Sequence, residues 1–468
     1  MRLVFKGLIA VCVVSAAFLG GFSADLIRSV PRNPQAAYWG LQVLPSTRLA
    51  DLLRPPSARA AQERSLRPAE IYFAVMNQIR SDYYGPDADA ANRSAKKLTY
   101  AAIHGMLKTL NDRFTEFLEP KTYERMMEEN RGNFVGIGAL LGMTKDKKVY
   151  IEEPFENSPA IRKGVLPGDV IVKVDGKPTL GKDVAAVASQ IRGKEGTPVK
   201  LTLLRKGQTR LLEVTIVRAV VHTPIVEYRM QDEAQKIGYI QLKQFNEEAD
   251  QQFGEAVRKL ESRGMKALIF DLRDNPGGLL NIARDIGSRF IGSGPIVWQR
   301  EKNGEERSLD VEPSKHQARL DKGVYPVVVL VDGGSASASE IVAGAIKDYD
   351  AGTLVGTTTF GKGLVQTIIP LLDNSAVKIT TQHYLTPKKN DINNKFDEAG
   401  KKVSGGIKPD IVVELTEKDL ERMREALRAD PENARAIRND PQYDPQLRKA
   451  IEVAREKLAG KAVSTARQ

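Results

Sequence analysis

Cysteine is nearly absent from this sequence of 468 residues. The single cysteine, Cys12, lies within the uncharged run 7–24, so the rest of the chain has no thiol. A disulfide needs two cysteines, and structural zinc or iron–sulfur sites need several at fixed spacings. The sequence therefore excludes an intrachain disulfide framework and any metal centre built from cysteine.

Histidine is also scarce. The chain has four, and none lies in a context typical of a Ser-His-Asp arrangement: His104, His222, His316 and His383. This weighs against a histidine base without excluding one, because the chain order of such residues varies between folds. No Gly-x-x-x-x-Gly-Lys-Ser/Thr phosphate loop is present. We expect no cofactor and no metal.

The positive charges behind the net charge of +11 are not concentrated in one part of the chain. Lysine and arginine are spread along the chain, and no basic block is interleaved with aromatic residues. A nucleic-acid interface needs such a patch, so we expect no nucleic-acid partner. Solubility, or attraction to anionic envelope polymers, explains the charge.

The first 24 residues have the pattern of an export segment. Arg2 and Lys6 precede eighteen uncharged residues, and Asp25 ends the run. This length lies between a secretory signal and a short membrane span. Phe22 occupies a position where a cleavage site needs a small residue, which slightly favours an uncleaved anchor. In both cases we predict a chain in the periplasm or cell envelope, secreted or anchored to the inner membrane by its N-terminus.

Composition and periodicity predict several modules. Apolar residues make up 41% and charged residues 28%, which is typical of globular proteins. Ile71, Val75, Ile79 and Tyr83 recur every four residues, as in an amphipathic helix. The predicted divisions are a signal peptide or anchor at 1–24, a linker at 25–67, a helical domain at 68–130, a β-domain at 131–220, an α/β core at 221–415 and a helical tail at 416–468.

Two parts of the chain have opposite strand patterns. Residues 133–220 contain many short strands with one helix at 183–192, which predicts a small, partly open barrel. After Gly238, apolar runs at 267–272 and 327–331 are each followed by a helical pattern, at 279–290 and 337–349. Near-continuous apolar strands alternating with helices indicate a buried, mostly parallel α/β sheet.

Ser337 lies where a buried strand is predicted to meet a helix. Small residues surround it, and the first turn of a helix supplies free N–H groups that can stabilise an oxyanion. A purely structural role is also available, because Ser337 and Glu340 form an S-x-x-E capping box. The serine alone therefore does not establish a nucleophile.

Lys362 is a candidate base for that serine. It lies between Gly361 and Gly363 in an apolar segment, and burial lowers the pKa of a lysine so that a neutral amine is available. A surface lysine in a hairpin is the alternative.

Together these segments resemble the active-site signatures of carboxy-terminal processing proteases. Gly-Ser-Ala-Ser-Ala-Ser-Glu-Ile-Val-Ala-Gly-Ala contains Ser337, and Phe-Gly-Lys-Gly-Leu-Val-Gln begins at Phe360. The resemblance implies that Ser337 is the nucleophile, that Lys362 is the general base and that Gln366 orients the lysine amine. Asp-Leu-Arg-Asp-Asn-Pro-Gly-Gly at 271–278 also resembles the family. It implies an oxyanion hole formed by Ala338 with either Gly277 or Gly278.

The β-domain resembles a PDZ domain. Its landmarks are Phe-Val-Gly-Ile-Gly-Ala at 134–139 and Gly-Val-Leu-Pro-Gly-Asp at 164–169. Successive N–H groups in a glycine-rich turn can hold a terminal carboxylate, and the adjacent strand edge can add a peptide strand. The resemblance implies that the carboxylate contacts are Val135, Gly136, Ile137 and Gly138. A glycine-rich turn without a ligand is the alternative.

The resemblance extends from about residue 68 to 455, with one visible departure: the segment 388–404 looks longer and more charged than usual. It implies a crotonase/ClpP-like α/β protease core with an inserted PDZ domain and a helical N-terminal platform. The implied activity is a serine endopeptidase that captures protein C-terminal tails and forms an acyl-enzyme. It also implies PDZ-linked gating and homo-oligomers, and it admits an adaptor lipoprotein as a partner.

Two other functions are compatible with parts of the sequence. A non-catalytic PDZ scaffold would have a degenerate protease core, but serine, lysine and glutamine are all present here. A histidine-dependent esterase would lose its activity when one histidine is changed, and nothing in the sequence favours it.

Overall fold

The computed structural model describes residues 67–85, 94–312, 320, 323–430 and 433–465. The predicted signal or anchor at 1–24, and the predicted linker up to residue 66, lie outside these residues. The chain divides into two units, 1–98 and 99–468. Within the described ranges, no helix is both long enough and apolar enough to cross a membrane.

The first unit contains helix α1 (Pro68–Asp82) and the beginning of α2 (Ala95–Lys108). Proline is favourable at the start of α1. It has no N–H group, and N–H groups in the first turn of a helix have no acceptor within the helix. The predicted amphipathic helix is present, but its apolar positions are not buried. Ile71, Val75 and Tyr83 are 47%, 53% and 46% exposed.

The second unit begins with the rest of α2 and then contains a β-domain. β1 (Glu116–Leu118) and α3 (Pro120–Arg131) precede that domain. The elements of the domain are β2 (Asn133–Gly136), β3 (Ala139–Met143), β4 (Val149–Pro154), α4 (Pro159–Arg162), β5 (Val170–Val174), β6 (Lys177–Pro178), α5 (Val184–Ile191), β7 (Pro198–Leu204), β8 (Leu212–Val217) and β9 (Ala219–His222). Helix α5 starts where the Asp183 carboxylate accepts the Ala186 N–H at 2.7 Å. The main sheet is antiparallel in the order β3-β4-β5-β7-β8, with β6 on β5, while β2 pairs with β9.

The region after β9 forms a six-stranded sheet with helices. The elements, in chain order, are β10 (Val226–Asp232), β11 (Ile237–Leu242), α6 (Ala249–Ser262), β12 (Ala267–Asp271), α7 (Leu280–Gly287), β13 (Pro295–Glu301), β14 (Glu306–Asp310), β15 (Val327–Val331), α8 (Ala338–Asp348) and β16 (Thr353–Gly356). The remaining elements are β17 (Leu364–Pro370), β18 (Ala376–Leu385), β19 (Lys395–Phe396), β20 (Lys402–Ser404), β21 (Ile411–Val412), α9 (Glu417–Ala429), α10 (Ala434–Arg438) and α11 (Pro445–Thr465).

The sheet order is β10-β11-β12-β15-β16-β21, and every pair except β10 with β11 is parallel. Strand β12 shows why its sequence is apolar throughout: Leu268 and Phe270 pack against α6, α7 and α8, whereas Ala267 and Ile269 pack against α11. Alternate side chains of a strand point to opposite faces, and both faces here are covered. The predicted buried parallel strands and their following helices are confirmed.

A second sheet lies beside the core, in the antiparallel order β1-β18-β13-β14 with β17 on β18. It carries the segment after Lys362, because β17 starts at Leu364. The loops that follow β12 and β15 leave neighbouring parallel strands at the same edge of the core sheet. The glycine string at 271–278 and the serine segment meet at that edge.

Candidate active site

Ser337 occupies a strained turn between β15 and α8. Its φ of 56° and ψ of −113° are unusual for a residue with a side chain. Two hydrogen bonds hold this conformation: the Tyr384 hydroxyl donates to the Ser337 carbonyl at 3.1 Å, and the Ser337 N–H donates to Glu340 Oε2 at 2.9 Å. Backbone strain of this kind persists only when the surroundings enforce it, and it is concentrated at functional sites.

Three serines lie within five residues here, and the structure separates their roles. Ser335 is buried, and its hydroxyl donates to the Leu272 carbonyl at 2.8 Å. Ser339 is also buried, and its hydroxyl donates to the Asn275 carbonyl at 2.9 Å. Ser337 is only half-buried. It is therefore the serine of this segment whose hydroxyl a substrate can reach.

Glu340 joins the serine segment to the lysine segment. Its fully buried carboxylate accepts the Ser337 and Lys362 N–H groups, each at 2.9 Å, and the Gly361 N–H at 2.7 Å. The Thr359 hydroxyl donates to it at 2.6 Å. Burial raises the pKa of Glu340, and these hydrogen bonds oppose that shift. The sequence identified Glu340 only as a helix cap, and its contact with the lysine loop was missed.

The surroundings of Lys362 shift the pKa of its amine in the direction that favours the neutral form. Burial lowers the pKa of its amine, and the positive charge of Lys378 lowers it further. The Lys362 Nζ lies 4.9 Å from the centroid of the Phe114 ring. No motif around Phe114 indicates this contact, and sequence reasoning missed it.

The side chains of the predicted dyad are not hydrogen-bonded in this structure. Among the hydrogen bonds of the described residues, none joins the Lys362 amine to the Ser337 hydroxyl or to Gln366. The Gln366 amide instead donates to Thr380 Oγ1 at 3.4 Å. The fold thus brings the backbone segments of Ser337 and Lys362 together, while their side chains are not yet in catalytic contact.

Of the two glycines after β12, Gly277 packs against Ser337, whereas Gly278 packs against the backbone of Phe245. Gly277 and Gly278 have φ values of 100° and 147°, which favour glycine. A Cβ on Gly277 would lie 2.6 Å from the Ala336 carbonyl oxygen and 2.8 Å from Ser337 Cβ. Only a glycine allows this approach.

The two glycine N–H groups are not equally available. The Gly277 N–H already donates to Asn275 Oδ1 at 2.9 Å. Within the described ranges, the N–H groups of Gly278 and Ala338 have no protein acceptor. This geometry favours Gly278 over Gly277 as the donor that acts with Ala338.

Asn275 fixes this loop, and sequence reasoning missed it. The residue is fully buried, and its Nδ2 donates to the Leu242 carbonyl at 2.8 Å. Its own carbonyl accepts the Ala336 N–H at 3.0 Å and the Ser339 hydroxyl at 2.9 Å. Asn275 thereby ties the glycine pair to the serine segment. The only sequence signal was its place in the 271–278 string.

A separate groove of about 320 Å³ lies in the β-domain, between the β2–β3 turn and α5. Its lining is mostly apolar and includes Ile137, Leu141, Val184, Ala188 and Ile191. Within the described residues, the N–H groups of Ile137 and Gly138 have no protein acceptor. Two free N–H groups at the end of an apolar groove can bind a peptide carboxylate.

The other two predicted carboxylate contacts lie in β2. Val135 and Gly136 pair with Val220 and Ala219 of β9, and Gly136 also lines the groove. No group of three or more His, Cys, Asp or Glu side chains in the described ranges could hold a metal ion.

Comparisons with known proteins identify the family of this chain and its PDZ domain. The sequence profile of peptidase family S41 matches residues 236–413, and that of the PDZ domain matches residues 134–216. The carboxy-terminal-processing protease of Bartonella bacilliformis is 36% identical over 346 residues, which cover 73% of this chain and 74% of that protein. A probable CtpA-like serine protease of Staphylococcus haemolyticus is 35% identical over 349 residues, which cover 75% of this chain.

The chain spans 65% of the length of that staphylococcal relative. Among solved structures, the photosystem II D1 C-terminal processing protease is 27% identical, with a TM-score of 0.41, over 74% of this chain and 92% of that one. On the Bartonella match and the two profile matches, the chain belongs to peptidase family S41, within its PDZ-containing carboxy-terminal processing serine proteases.

Proposed function

We propose that this chain is an exported serine endopeptidase that binds protein C-terminal tails in its PDZ groove and cleaves peptide bonds with a Ser337–Lys362 dyad. The observation that carries the proposal is a difference in hydrogen bonding between the hydroxyls of Ser335, Ser337 and Ser339. The Ser335 and Ser339 hydroxyls donate buried hydrogen bonds, whereas Ser337 is half-buried and lies against Gly277. Among the described residues, the neighbouring N–H groups of Gly278 and Ala338 have no acceptor.

In the first half of the reaction, Ser337 Oγ attacks the peptide carbonyl carbon while the neutral Lys362 amine takes the hydroxyl proton. The oxyanion accepts hydrogen bonds from Gly278 and Ala338. When the carbon–nitrogen bond breaks, the leaving amine takes the proton from the Lys362 ammonium. An ester between Ser337 and the acyl part of the substrate remains.

In the second half, water attacks this ester and Lys362 takes a proton from the water. The tetrahedral intermediate then releases the carboxylic acid, and the proton on Lys362 returns to Ser337 Oγ. The enzyme is restored with no external reactant except water.

The separation of the two side chains supports a resting arrangement. For the reaction, the Lys362 amine, which lies 4.9 Å from the centroid of the Phe114 ring, has to come within hydrogen-bond reach of Ser337. Gln366 would then orient the amine, once released from its 3.4 Å contact with Thr380. PDZ-linked gating, which the family resemblance implies, is consistent with this rearrangement.

The wider architecture and setting are part of the same proposal. We place the PDZ domain at 131–220 and a crotonase/ClpP-like core at 221–415, between a helical platform at 68–130 and a helical tail at 416–468. The segment 1–24 would direct export to the periplasm or cell envelope, as a signal or as a membrane anchor. Substrates would be proteins bound by their C-terminal tails, and the chain would act as a homo-oligomer, with an adaptor lipoprotein as a candidate partner.

The direct test is cleavage of unfolded β-casein by the purified chain, compared with Ser337→Ala and Lys362→Ala. We expect cleavage by the wild type and none by either variant, with both variants folded by circular dichroism. A preparation that cleaves only after addition of a C-terminal peptide would support gating. Equal cleavage by Lys362→Ala and wild type would contradict the dyad.

A further inference from the structure

Two exposed cations lie at the two ends of Phe360, the residue two positions before Lys362. The guanidinium carbon of Arg113 lies 5.2 Å from the centroid of the Phe360 ring and 4.7 Å from that of Phe114. At the other end, the Lys402 amine donates to the Phe360 carbonyl at 3.1 Å. Both side chains are exposed.

Neither cation is neutralised by the described part of the chain. Among the described residues, the Arg113 side chain contacts only aromatic rings, and the Lys402 amine bonds only to the Phe360 carbonyl. The adjacent Asp112 is already engaged: its carboxylate accepts the hydroxyls of Thr380 and Thr115 at 2.6 and 2.7 Å and the Phe114 N–H at 2.9 Å. Lys378, another cation of this area, is paired with Glu116.

This positive surface adjoins the proposed catalytic residues. The Phe114 ring that contacts Arg113 also lies 4.9 Å from the Lys362 amine. The Phe360 N–H donates to the Ser335 carbonyl at 3.0 Å, two residues before Ser337. A ligand held by Arg113 would therefore lie close to the bond that Ser337 attacks.

Lys402 is supplied by the β19–β20 hairpin, within the long charged segment 388–404. Asn394 fixes the base of this hairpin, because its Nδ2 donates to the Phe360 carbonyl at 2.9 Å and its N–H donates to the Gly361 carbonyl at 3.0 Å. The same hairpin presents a partly exposed phenylalanine, Phe396. It is thus anchored to the lysine loop and places its cation at the rim of the site.

Stacking on an aromatic ring uses the face of a guanidinium and leaves its N–H groups, which lie in the plane, free to bind a carboxylate. We propose that Arg113 and Lys402 form a carboxylate-binding subsite for the substrate next to the scissile bond. The ligand is an acidic side chain of the substrate or its terminal carboxylate. This inference rests on the proposed function and names a substrate preference of the same site.

The test compares peptides that differ by one carboxylate. In the first pair, the residue beside the scissile bond is Glu in one peptide and Gln in the other, and both peptides have an amidated C-terminus. In the second pair, both peptides have Gln at that position, and the C-terminus is free in one and amidated in the other. Wild type should prefer the carboxylate member of at least one pair. The double variant Arg113→Gln/Lys402→Gln should reduce this ratio of kcat/KM values about fivefold to tenfold, as expected for one charge-assisted contact that is partly exposed.

The two pairs identify the source of the carboxylate. A variant-dependent preference for Glu indicates an acidic side chain, and one for the free terminus indicates the terminal carboxylate. Both support the subsite. Lys266→Gln is the matched control, because Lys266 is exposed and precedes β12 at the opposite end of the strand from the site. It should leave both ratios unchanged.

A binding measurement separates this inference from the proposed catalysis. In the Ser337→Ala background, fluorescence anisotropy of the same labelled peptides reports affinity without turnover. A carboxylate preference that is lost in the double variant supports the subsite even if the chain cleaves nothing. Two results would contradict the subsite. One is a double variant whose ratios of kcat/KM and of affinity equal those of Lys266→Gln. The other is a wild type that shows no carboxylate preference.

Discussion

At the scale of single residues, the arrangement depends on Glu340. Four donors converge on one buried carboxylate, and two of them are the N–H groups of Ser337 and Lys362. A carboxylate is the side chain that can accept all four, because it has two oxygens and no donor when ionised. Glu340 therefore holds the segments of Ser337 and Lys362 together, and under the proposed mechanism it is a positioning residue.

The first prediction concerns this carboxylate. Glu340→Gln keeps the shape but turns an acceptor oxygen into an NH₂ group that faces other donors. We expect kcat/KM for casein-derived peptides to fall by about 10², as for a misplacement of roughly an ångström. Unfolding in urea should show a loss of about 1–3 kcal/mol from unsatisfied donors. The control Glu425→Gln, exposed on α9, should change neither. A variant that is destabilised but keeps full kcat would contradict the positioning role.

The second prediction is a pH dependence with a definite sign. Burial and the charge of Lys378 both lower the pKa of Lys362, so the neutral base is available at lower pH than for a free lysine. Activity should rise with pH through this lowered pKa. Lys378→Gln removes a repelling charge, raises the pKa of Lys362 and should move the acid limb of the kcat/KM profile to higher pH.

The matched control for that experiment is Glu116→Gln. It removes the partner of Lys378 and leaves its positive charge uncompensated. The acid limb should then stay in place or move to lower pH, opposite to Lys378→Gln. A shift of both profiles in the same direction would contradict the electrostatic account of Lys362.

At the scale of elements, helix α11 is connected to the loop after β12 by a buried ionic cluster. Arg273, in the loop after β12, pairs with Asp271 at 2.6 Å and with Asp444 at 2.8 Å, just before α11. The Tyr239 hydroxyl donates to Asp271 at 2.7 Å. A charge buried in this way needs its partners, because an unpaired one is costly. The tail helix thus supports the loop that carries Gly278.

The third prediction tests this connection. Asp444→Asn leaves Arg273 with one carboxylate, and we expect a loss of about 1–3 kcal/mol in unfolding free energy together with a lower kcat. Glu452→Gln, on the exposed side of the same helix, is the control. If both variants have the same stability and the same kcat, the cluster does not support the loop.

The sequence predicted the elements better than the contacts between them. Strands β12 and β15 were recognisable because both of their faces are apolar, and membership of the protease family was recognisable from the motifs around Ser337 and Lys362. The hydrogen bond from the Gly361 N–H to Glu340 was not recognisable from the sequence, because the two residues come together only in the folded chain. The choice between Gly277 and Gly278 likewise depends on where the Asn275 side chain points. Side-chain direction leaves no periodic signal in a sequence.

At the scale of the whole molecule, the described structure connects the peptide groove to the rest of the second unit. Arg192, at the end of α5, pairs with Glu128 of α3 and stacks on Phe134 at 4.8 Å. These residues all line the groove. The apolar face of α1 is exposed despite its helical periodicity, which shows that an amphipathic pattern predicts a helix but not what covers it.

The fourth prediction tests the groove itself. Gly138 has φ +75°, and a Cβ there would overlap Ser158 Cβ. Gly138→Ala should weaken binding of a peptide with a free C-terminus at least tenfold, measured by anisotropy in the Ser337→Ala background. Gly164→Ala is a matched control, since Gly164 has φ +74° with open space around it. It imposes similar backbone strain, so equal losses of affinity would contradict a carboxylate site at residues 137–138.

The central claim is that Ser337 is the nucleophile and that Lys362 activates it. The most direct measurement is labelling of the purified chain with a fluorophosphonate, followed by intact mass and peptide mapping. We predict one adduct per chain, on Ser337, with a labelling rate that rises with pH and falls by about 10² or more in Lys362→Ala. An adduct on another residue, or labelling of Ser337 at the same rate without Lys362, would contradict the account.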